Sequence, residues 1–170
     1  MGGDAYGVRP AAEGELLILM EIERAAAALF GGTRYAEFAE LEPYTASLNP
    51  ERDRVWVATG SENHPVAFAV FYPTETTVHL QEIDVHPAHA RRGVGRLLIE
   101  ALAQWAGSNG KTAITLTTFR DIPWNAPYYE RLGFRALDPG EFSAELRTIW
   151  EEEKQYGFPK GSRVCMRREV

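Results

Sequence analysis

Residues 80–106 limit the fold of this chain more than any other stretch, because they spell a strand, a turn and a helix in succession. Apolar residues stand among polar ones as far as Val85, and His86-Pro87 ends the run, since proline cannot donate to a strand ladder. Beyond that loop, apolar residues recur at three- and four-residue spacing, which is typical of an amphipathic helix on a sheet. We predict a strand that ends near Val85 and a helix that begins near Arg92 or Gly93.

Three arginines, Arg91, Arg92 and Arg96, crowd the predicted start of this helix. A cation at a helix N-terminus opposes the helix dipole by about 0.3–1 kcal/mol, so we expect an anion to offset them. Free backbone N–H groups at a helix start, with Gly93 and Gly95 permitting close approach of a ligand, form a cradle suited to phosphate. The alternative interpretation is a solvated basic turn.

The residues as far as Val85 predict a short first strand, two helical segments and three antiparallel strands. A short strand over residues 5–9 precedes a helix that opens after Pro10 and stops at Gly31-Gly32, and a second helical stretch covers residues 35–41. A hairpin over residues 54–59 and 66–72 leads into a third strand at residues 77–85. Residues 113–118 are rich in β-formers, so the central helix and its flanking strands should form a parallel β-α-β crossover.

A second distinctive motif, PWNAPYYERLGF, occupies residues 123–134. Asn125 suits a helix N-cap and Gly133 suits a helix end, so we predict a short helix between them. A charged helix over residues 143–156 and a closing strand over residues 163–168 follow.

Composition indicates one soluble globular domain over all 170 residues, with 45% hydrophobic residues. The formal net charge of −6 argues against nucleic-acid binding, which depends on clustered Lys and Arg. Neither a membrane-spanning run nor a signal segment is evident, so we expect a cytoplasmic protein without a membrane partner. The single cysteine, Cys165, excludes an internal disulfide and a thiolate metal cluster.

Two of these motifs resemble those of the GCN5-related N-acetyltransferase (GNAT) superfamily. The run V-H-P-A-H-A-R-R-G-V-G resembles the family's acetyl-CoA motif, [RQ]-x-x-G-x-[GA] after a strand ending V-x-P, but Ala90 stands where the family has Arg or Gln. Arg91 is the candidate replacement. Residues 129–134, Y-E-R-L-G-F, resemble the second family motif. The resemblance implies an α/β (α+β mixed-sheet) acyl-CoA N-acyltransferase fold, with antiparallel N-terminal strands and a V-shaped splay in the central parallel β-α-β unit.

The resemblance also implies roles for particular residues. The backbone of Ile83 and Val85 would hold the pantetheine arm as an added strand. Tyr129 would protonate the departing CoA thiolate. The other implied acetyl-CoA contacts are Arg91, Arg92, Gly93, Val94, Gly95, Arg96, Asn125 and Tyr129. The implied acceptor-pocket residues are Phe30, Tyr35 and Phe38, for which core packing is the alternative.

Glu82 and Asp84 are the candidate bases for removing the acceptor's proton. They alternate with Ile83 and Val85, so both carboxylates should leave the strand on one face. Alternation does not decide which of them acts as the base. Surface or ion-paired carboxylates are the alternative interpretation.

The leading hypothesis is therefore direct transfer of an acetyl group from acetyl-CoA to a primary amine in a ternary complex. A non-catalytic acyl-CoA-binding or sensor domain is the alternative. A nucleotide-binding oxidoreductase is disfavoured, because Leu98 stands where a dinucleotide motif needs glycine or alanine. No metal is expected, since proline separates His86 from His89 in a loop. The acceptor, a small molecule or peptide, stays open, and a homodimer is compatible with the resemblance.

Overall fold

The structure is a computed structural model that describes residues 5–170. Its strands form a seven-stranded mixed sheet in the order β1-β2-β3-β4-β5-β7-β6. The strands are β1 Gly7–Pro10, β2 Arg54–Thr59, β3 Pro65–Pro73, β4 Thr77–Val85, β5 Ala113–Phe119, β6 Arg135–Ala136 and β7 Arg163–Glu169. The α-helices are α1 Leu16–Ala27, α2 Val94–Ser108, α3 Ala126–Arg131 and α4 Ala144–Glu152. The chain divides into two compact units, one reaching as far as Tyr72 and including Gln81–Leu102, the other comprising Pro73–Leu80 and Ala103–Val170.

The first unit is built on the antiparallel strands β1, β2 and β3. β3 is buried from Pro65 to Tyr72, because its apolar side chains are covered on both faces of the sheet. The buried face of α1 packs against this ladder, and the shared cluster consists of Leu19, Ile22, Val57, Phe68 and Val70. Helix and sheet thus bury each other's apolar faces, as a two-layer arrangement requires.

The second unit is built on β5 and β7, which pair antiparallel over seven residue pairs. The start of β4 adds a parallel ladder of three pairs, from Thr77 with Ala113 to His79 with Thr115. Helix α4 begins after Ser143, whose side-chain oxygen accepts a hydrogen bond from the Leu146 N–H. The cluster beneath α4 contains Leu137, Phe142, Leu146 and Cys165, with Trp150 packed against it.

Most predicted elements are present, and the exceptions have local causes. Helix α1 begins at Leu16 rather than just after Pro10, because the Ala11 N–H donates to the Val55 carbonyl and Gly14 adopts a left-handed φ of +85°. Helix α2 begins at Val94, one residue beyond the later of the two predicted starts, because Gly93 is also left-handed.

The predicted helix over residues 35–41 is a 3₁₀ turn, Ala36–Glu40. Its bonds run over three residues, as from the Phe38 N–H to the Tyr35 carbonyl, because so short a segment cannot repay the cost of starting an α-helix. The pattern of the sequence did not predict β6, a strand of only two residues paired with β7.

Candidate active site

The loop before α2 has the backbone geometry of an anion-binding turn. Arg91 and Gly93 both adopt left-handed conformations, with φ of +59° and +79°, and so bracket Arg92. Left-handed residues in such a turn direct successive N–H groups toward one side, which makes a concave site for an anion. The first hydrogen bond of the helix runs from the Leu97 N–H to the Gly93 carbonyl. The N–H groups that precede it add the positive end of the helix dipole.

The side chains around this turn divide according to exposure. Arg91, Arg92 and Arg96 are exposed, whereas Val94 and Gly95 are buried. Arginines at a helix N-terminus are unfavourable unless an anion is close, so their placement matches the predicted phosphate cradle. Contact of any of these residues with a phosphate stays a prediction.

The end of β4 carries the two predicted carboxylates. All five residues 81–85 are partly exposed, whereas Thr77–Leu80 are buried. Burial raises the pKa of Asp84 well above its usual value, and the charges of Glu82 and Glu23, with a hydrogen bond to Glu82, raise it further. The structure therefore brings Glu82 and Asp84 together as a hydrogen-bonded pair, on one side of the strand as alternation predicted.

A third carboxylate, Glu23 of α1, contributes to this environment. Its side chain is only 8% exposed and accepts three hydrogen bonds, from the Tyr44 N–H at 2.5 Å, the Thr45 N–H at 3.0 Å and the Thr45 hydroxyl at 2.6 Å. Tyr44 and Thr45, which supply these donors, are the first two residues of the 3₁₀ turn Tyr44–Ser47. Glu23 was not predicted as a site residue, although its place in the sequence was a signal, because it falls on the buried stripe formed by Leu19, Ile22 and Ala26.

Asn125 occupies the predicted N-cap position of α3, but its side chain makes no capping hydrogen bond. Instead its amide nitrogen donates to the Thr118 hydroxyl at 2.8 Å. The amide oxygen is buried and has no hydrogen-bond partner among the described residues. A buried acceptor without a donor costs about 1–3 kcal/mol, and contact of this oxygen with a ligand stays a prediction.

Tyr129 lies on α3 with 8% of its surface exposed. Its ring makes edge contacts with Tyr128 at 5.4 Å and with Phe134 at 5.7 Å between centroids. Its carbonyl accepts from the Leu132 and Phe134 N–H groups, so the turn ending at Gly133 closes around this residue. The Y-E-R-L-G-F motif therefore fixes the ring of Tyr129, while its role as an acid stays a prediction.

The predicted acceptor-pocket residues differ in exposure. Phe30 and Phe38 are partly exposed, but Tyr35 has no exposed surface. The Arg34 guanidinium lies 4.8 Å from the centre of the Tyr35 ring and donates to its hydroxyl at 2.5 Å. Tyr35 therefore supports the turn that carries Phe38, and direct contact with an acceptor would require it to move.

Residues 5–170 are the part of the chain that the structure describes. No group of three His, Cys, Asp or Glu side chains there is arranged to hold a metal ion. None of the helices in that part of the chain is long and apolar enough to cross a membrane.

Comparison with known proteins decides the family. The profile described as the Acetyltransferase (GNAT) family matches residues 19–134, more than half of the chain. The chain belongs to the GNAT acetyltransferase family. The GNAT profile spans both motifs and ends at Phe134, the last residue of Y-E-R-L-G-F.

Solved structures show the same GNAT fold. The PaiA N-acetyltransferase from Thermoplasma acidophilum, determined in complex with coenzyme A, superposes with a TM-score of 0.72 at 14% identity, covering 98% of this chain and 99% of that one. The ribosomal-protein-S18-alanine N-acetyltransferase from Escherichia coli gives 0.67 at 19% identity, covering 98% and 94%. A GNAT-family acetyltransferase from Staphylococcus aureus Mu50 gives 0.69 at 13% identity, covering 97% and 99%. At these identities the likeness concerns the fold alone.

Proposed function

We propose that this chain is an acetyl-CoA-dependent N-acetyltransferase that transfers an acetyl group directly to a primary amine in a ternary complex. One observation carries the proposal. Within a single compact unit, the strand bearing the Glu82–Asp84 pair runs straight into the anion-binding turn at Arg91–Gly93. A proton acceptor near the end of the strand and a phosphate cradle in the eight-residue loop that follows it are what acyl transfer from a phosphorylated thioester to an amine requires.

The cradle is assigned to the pyrophosphate of CoA. Backbone N–H groups around Gly93 would bind its oxygens, and Arg91, Arg92 and Arg96 would neutralise its charge. The partly exposed end of β4 supports the pairing of the pantetheine arm with the backbone of Ile83 and Val85. By its resemblance to the family motif, Asn125 is a further candidate CoA contact, with its buried amide oxygen as the acceptor.

The carboxyl pair is assigned to proton removal. An alkyl ammonium with a pKa of about 10.4 is neutral in roughly one molecule in 2,500 at pH 7, a deficit of about 4.6 kcal/mol. Burial and the neighbouring carboxylates raise the pKa of Asp84, so a proton shared by the pair would favour Asp84, and Glu82 is assigned as the base. Glu82 would take the ammonium proton directly or through water, after which the free amine attacks the thioester carbonyl.

Two further groups complete the proposed chemistry. A backbone N–H near Val85 would stabilise the oxyanion of the tetrahedral intermediate. Tyr129 would donate its phenolic proton to the CoA thiolate as the carbon–sulfur bond breaks, and the proton that the acylated nitrogen then loses would return to the phenolate, so that the products are an acetamide and free CoA thiol. The acidic net charge of the chain supports a cationic acceptor.

Calorimetry and a thiol-release screen test the proposal. Purified protein is titrated with acetyl-CoA and, for comparison, with NAD, and CoA release is then followed with a thiol reagent across a library of primary amines. We expect binding of acetyl-CoA, no binding of NAD, and amine-dependent release of CoA that Glu82→Gln depresses most at low pH. Binding without release for any amine would favour the acyl-CoA sensor instead. Failure to bind acetyl-CoA would refute both.

A further inference from the structure

We propose that Tyr6 is a positioning residue for CoA binding, and that it acts by holding His89 in the loop that forms the phosphate cradle. This inference rests on the proposed function. The Tyr6 hydroxyl oxygen and the His89 Nδ1 lie 3.0 Å apart in a partly buried hydrogen bond. The two rings also meet edge to face, with centroids 5.9 Å apart. The bond joins residues 83 positions apart, so it connects the start of the described chain to the cradle loop.

The loop itself is a chain of short-range hydrogen bonds that ends just before the left-handed Arg91. The His86 ring nitrogen accepts from the Ala88 N–H at 3.2 Å, and the His86 carbonyl accepts from the His89 N–H at 2.8 Å. The Ala90 N–H donates to the Pro87 carbonyl at 3.1 Å. These bonds give the loop an internal shape, but they do not connect it to a strand.

The loop is hydrogen-bonded near both of its ends to other parts of this unit. The backbone contact is at its beginning, where the His86 N–H donates to the Val66 carbonyl of β3 at 2.9 Å. The side-chain contact is at its far end, where His89 meets Tyr6, two residues before Arg91. The His89 contact is nearer to the cradle along the chain than the His86 contact. Its hydrogen bond therefore restrains the backbone that must present N–H groups to the anion.

Tyr6 is itself well placed for this role. It precedes β1, whose first residue, Gly7, pairs with Thr59 of β2. Its ring lies beside Gly60, where an added Cβ would stand 3.8 Å from the ring carbon Cε1. The hairpin between β2 and β3 therefore supports one side of the ring, while the hydroxyl reaches the loop.

The physical consequence is preorganisation. A loop already held in its binding conformation loses less conformational entropy when the ligand arrives, so its affinity is higher without any new contact to the ligand. One net hydrogen bond of about 0.5–1.5 kcal/mol corresponds to roughly twofold to twelvefold in a dissociation constant. Tyr6 would thus affect the affinity for CoA and leave the chemical step nearly unchanged.

The test uses the full chain and measures the dissociation constant of CoA by calorimetry, well below the melting temperature of each variant. Tyr6→Phe keeps the ring and removes the hydroxyl, and we expect CoA to bind about threefold to tenfold more weakly. His89→Ala should weaken binding by a similar factor. In the double variant, Tyr6→Phe should add nothing further, because its path to the cradle is already lost.

The control separates positioning from loss of stability. Tyr44→Phe, in the same unit, removes a hydroxyl that donates to Asp53 at 3.0 Å, and should lower the melting temperature while leaving CoA affinity unchanged. With a reactive amine in hand, Tyr6→Phe should raise KM for acetyl-CoA and change kcat by less than about twofold.

The outcomes are distinct. Unchanged CoA affinity in Tyr6→Phe would overturn the inference, whatever happens to the melting temperature. If Tyr6→Phe weakened CoA binding by the same factor in wild type and in His89→Ala, the role of His89 in transmitting the effect would be overturned. A wild-type protein that fails to bind CoA at all would refute the proposed function itself.

Discussion

Replacing Glu23 with alanine is expected to destabilise the protein more than any other single change of a charged residue in α1. The substitution leaves the Tyr44 N–H, the Thr45 N–H and the Thr45 hydroxyl without their acceptor in a site only 8% exposed. Each buried donor left unsatisfied costs about 1–3 kcal/mol, and since water can partly replace the carboxylate, we expect a total loss of about 3–6 kcal/mol. That is a large part of the stability of an ordinary domain, about 5–15 kcal/mol.

Urea unfolding at pH 7, followed by tryptophan fluorescence, measures the loss. Glu23→Gln is the graded variant, because an amide oxygen in the place of Oε2 still accepts both hydrogen bonds from Thr45, so its loss should fall between those of wild type and Glu23→Ala. Glu21→Ala, an exposed glutamate on the same helix, is the matched control and should change stability by less than about 0.5 kcal/mol. A Glu23→Ala protein within about 1 kcal/mol of wild type would refute the anchoring role of this carboxylate.

Three further predictions follow from the site. Asp84→Asn should be more stable than wild type at pH 8, and the difference in melting temperature should shrink toward pH 4. The pKa of Asp84 is raised above its usual 3.8, so the folded state favours the protonated acid. Wild-type stability therefore falls as the pH rises from about 4 toward the raised pKa. Tyr129→Phe should lower kcat by about 10²- to 10⁴-fold with acetyl-CoA affinity nearly constant, whereas equal losses in Tyr128→Phe would reject the acid role. Gly93→Ala should lose about 1 kcal/mol of stability and weaken acetyl-CoA binding, because Gly93 has a φ of +79° that alanine adopts only with strain. Its control, Gly107→Ala within α2, should gain about 0.5–1 kcal/mol in the same unfolding assay.

The sequence predicted the elements whose signals are local. The strand ending at Val85 was predicted correctly because His86-Pro87 stops a ladder wherever it occurs. The stripe of α2 and the end of α3 before Gly133 were predicted for similar reasons, since a periodicity and a left-handed glycine act within a few residues. The placing of β7 between β5 and β6 was not predicted, because strand order depends on pairings far apart in the chain.

The same distinction holds for the candidate site. Alternation along β4 was enough to place Glu82 and Asp84 on one side of the strand. It could not reveal Glu23, whose partners lie 21 and 22 positions away, nor the bond from Tyr6, which spans 83. Asn125 shows a third limit: its type correctly indicated the N-cap position, but the side chain bonds Thr118 of the preceding strand instead of its own helix.

The burial of β3 from Pro65 to Tyr72 has a consequence outside the folded state. Its residues 66–72, VAFAVFY, carry no charge and combine β-branched with aromatic side chains, the composition that favours cross-β association between unfolded chains. Pro65 and Pro73 flank the segment and act as gatekeepers, because neither can donate a hydrogen bond to an intermolecular ladder. The strand that is buried in the native sheet is thus the one most prone to intermolecular strand pairing when it is exposed in newly made or unfolded chains. Its two prolines limit how far that pairing can extend.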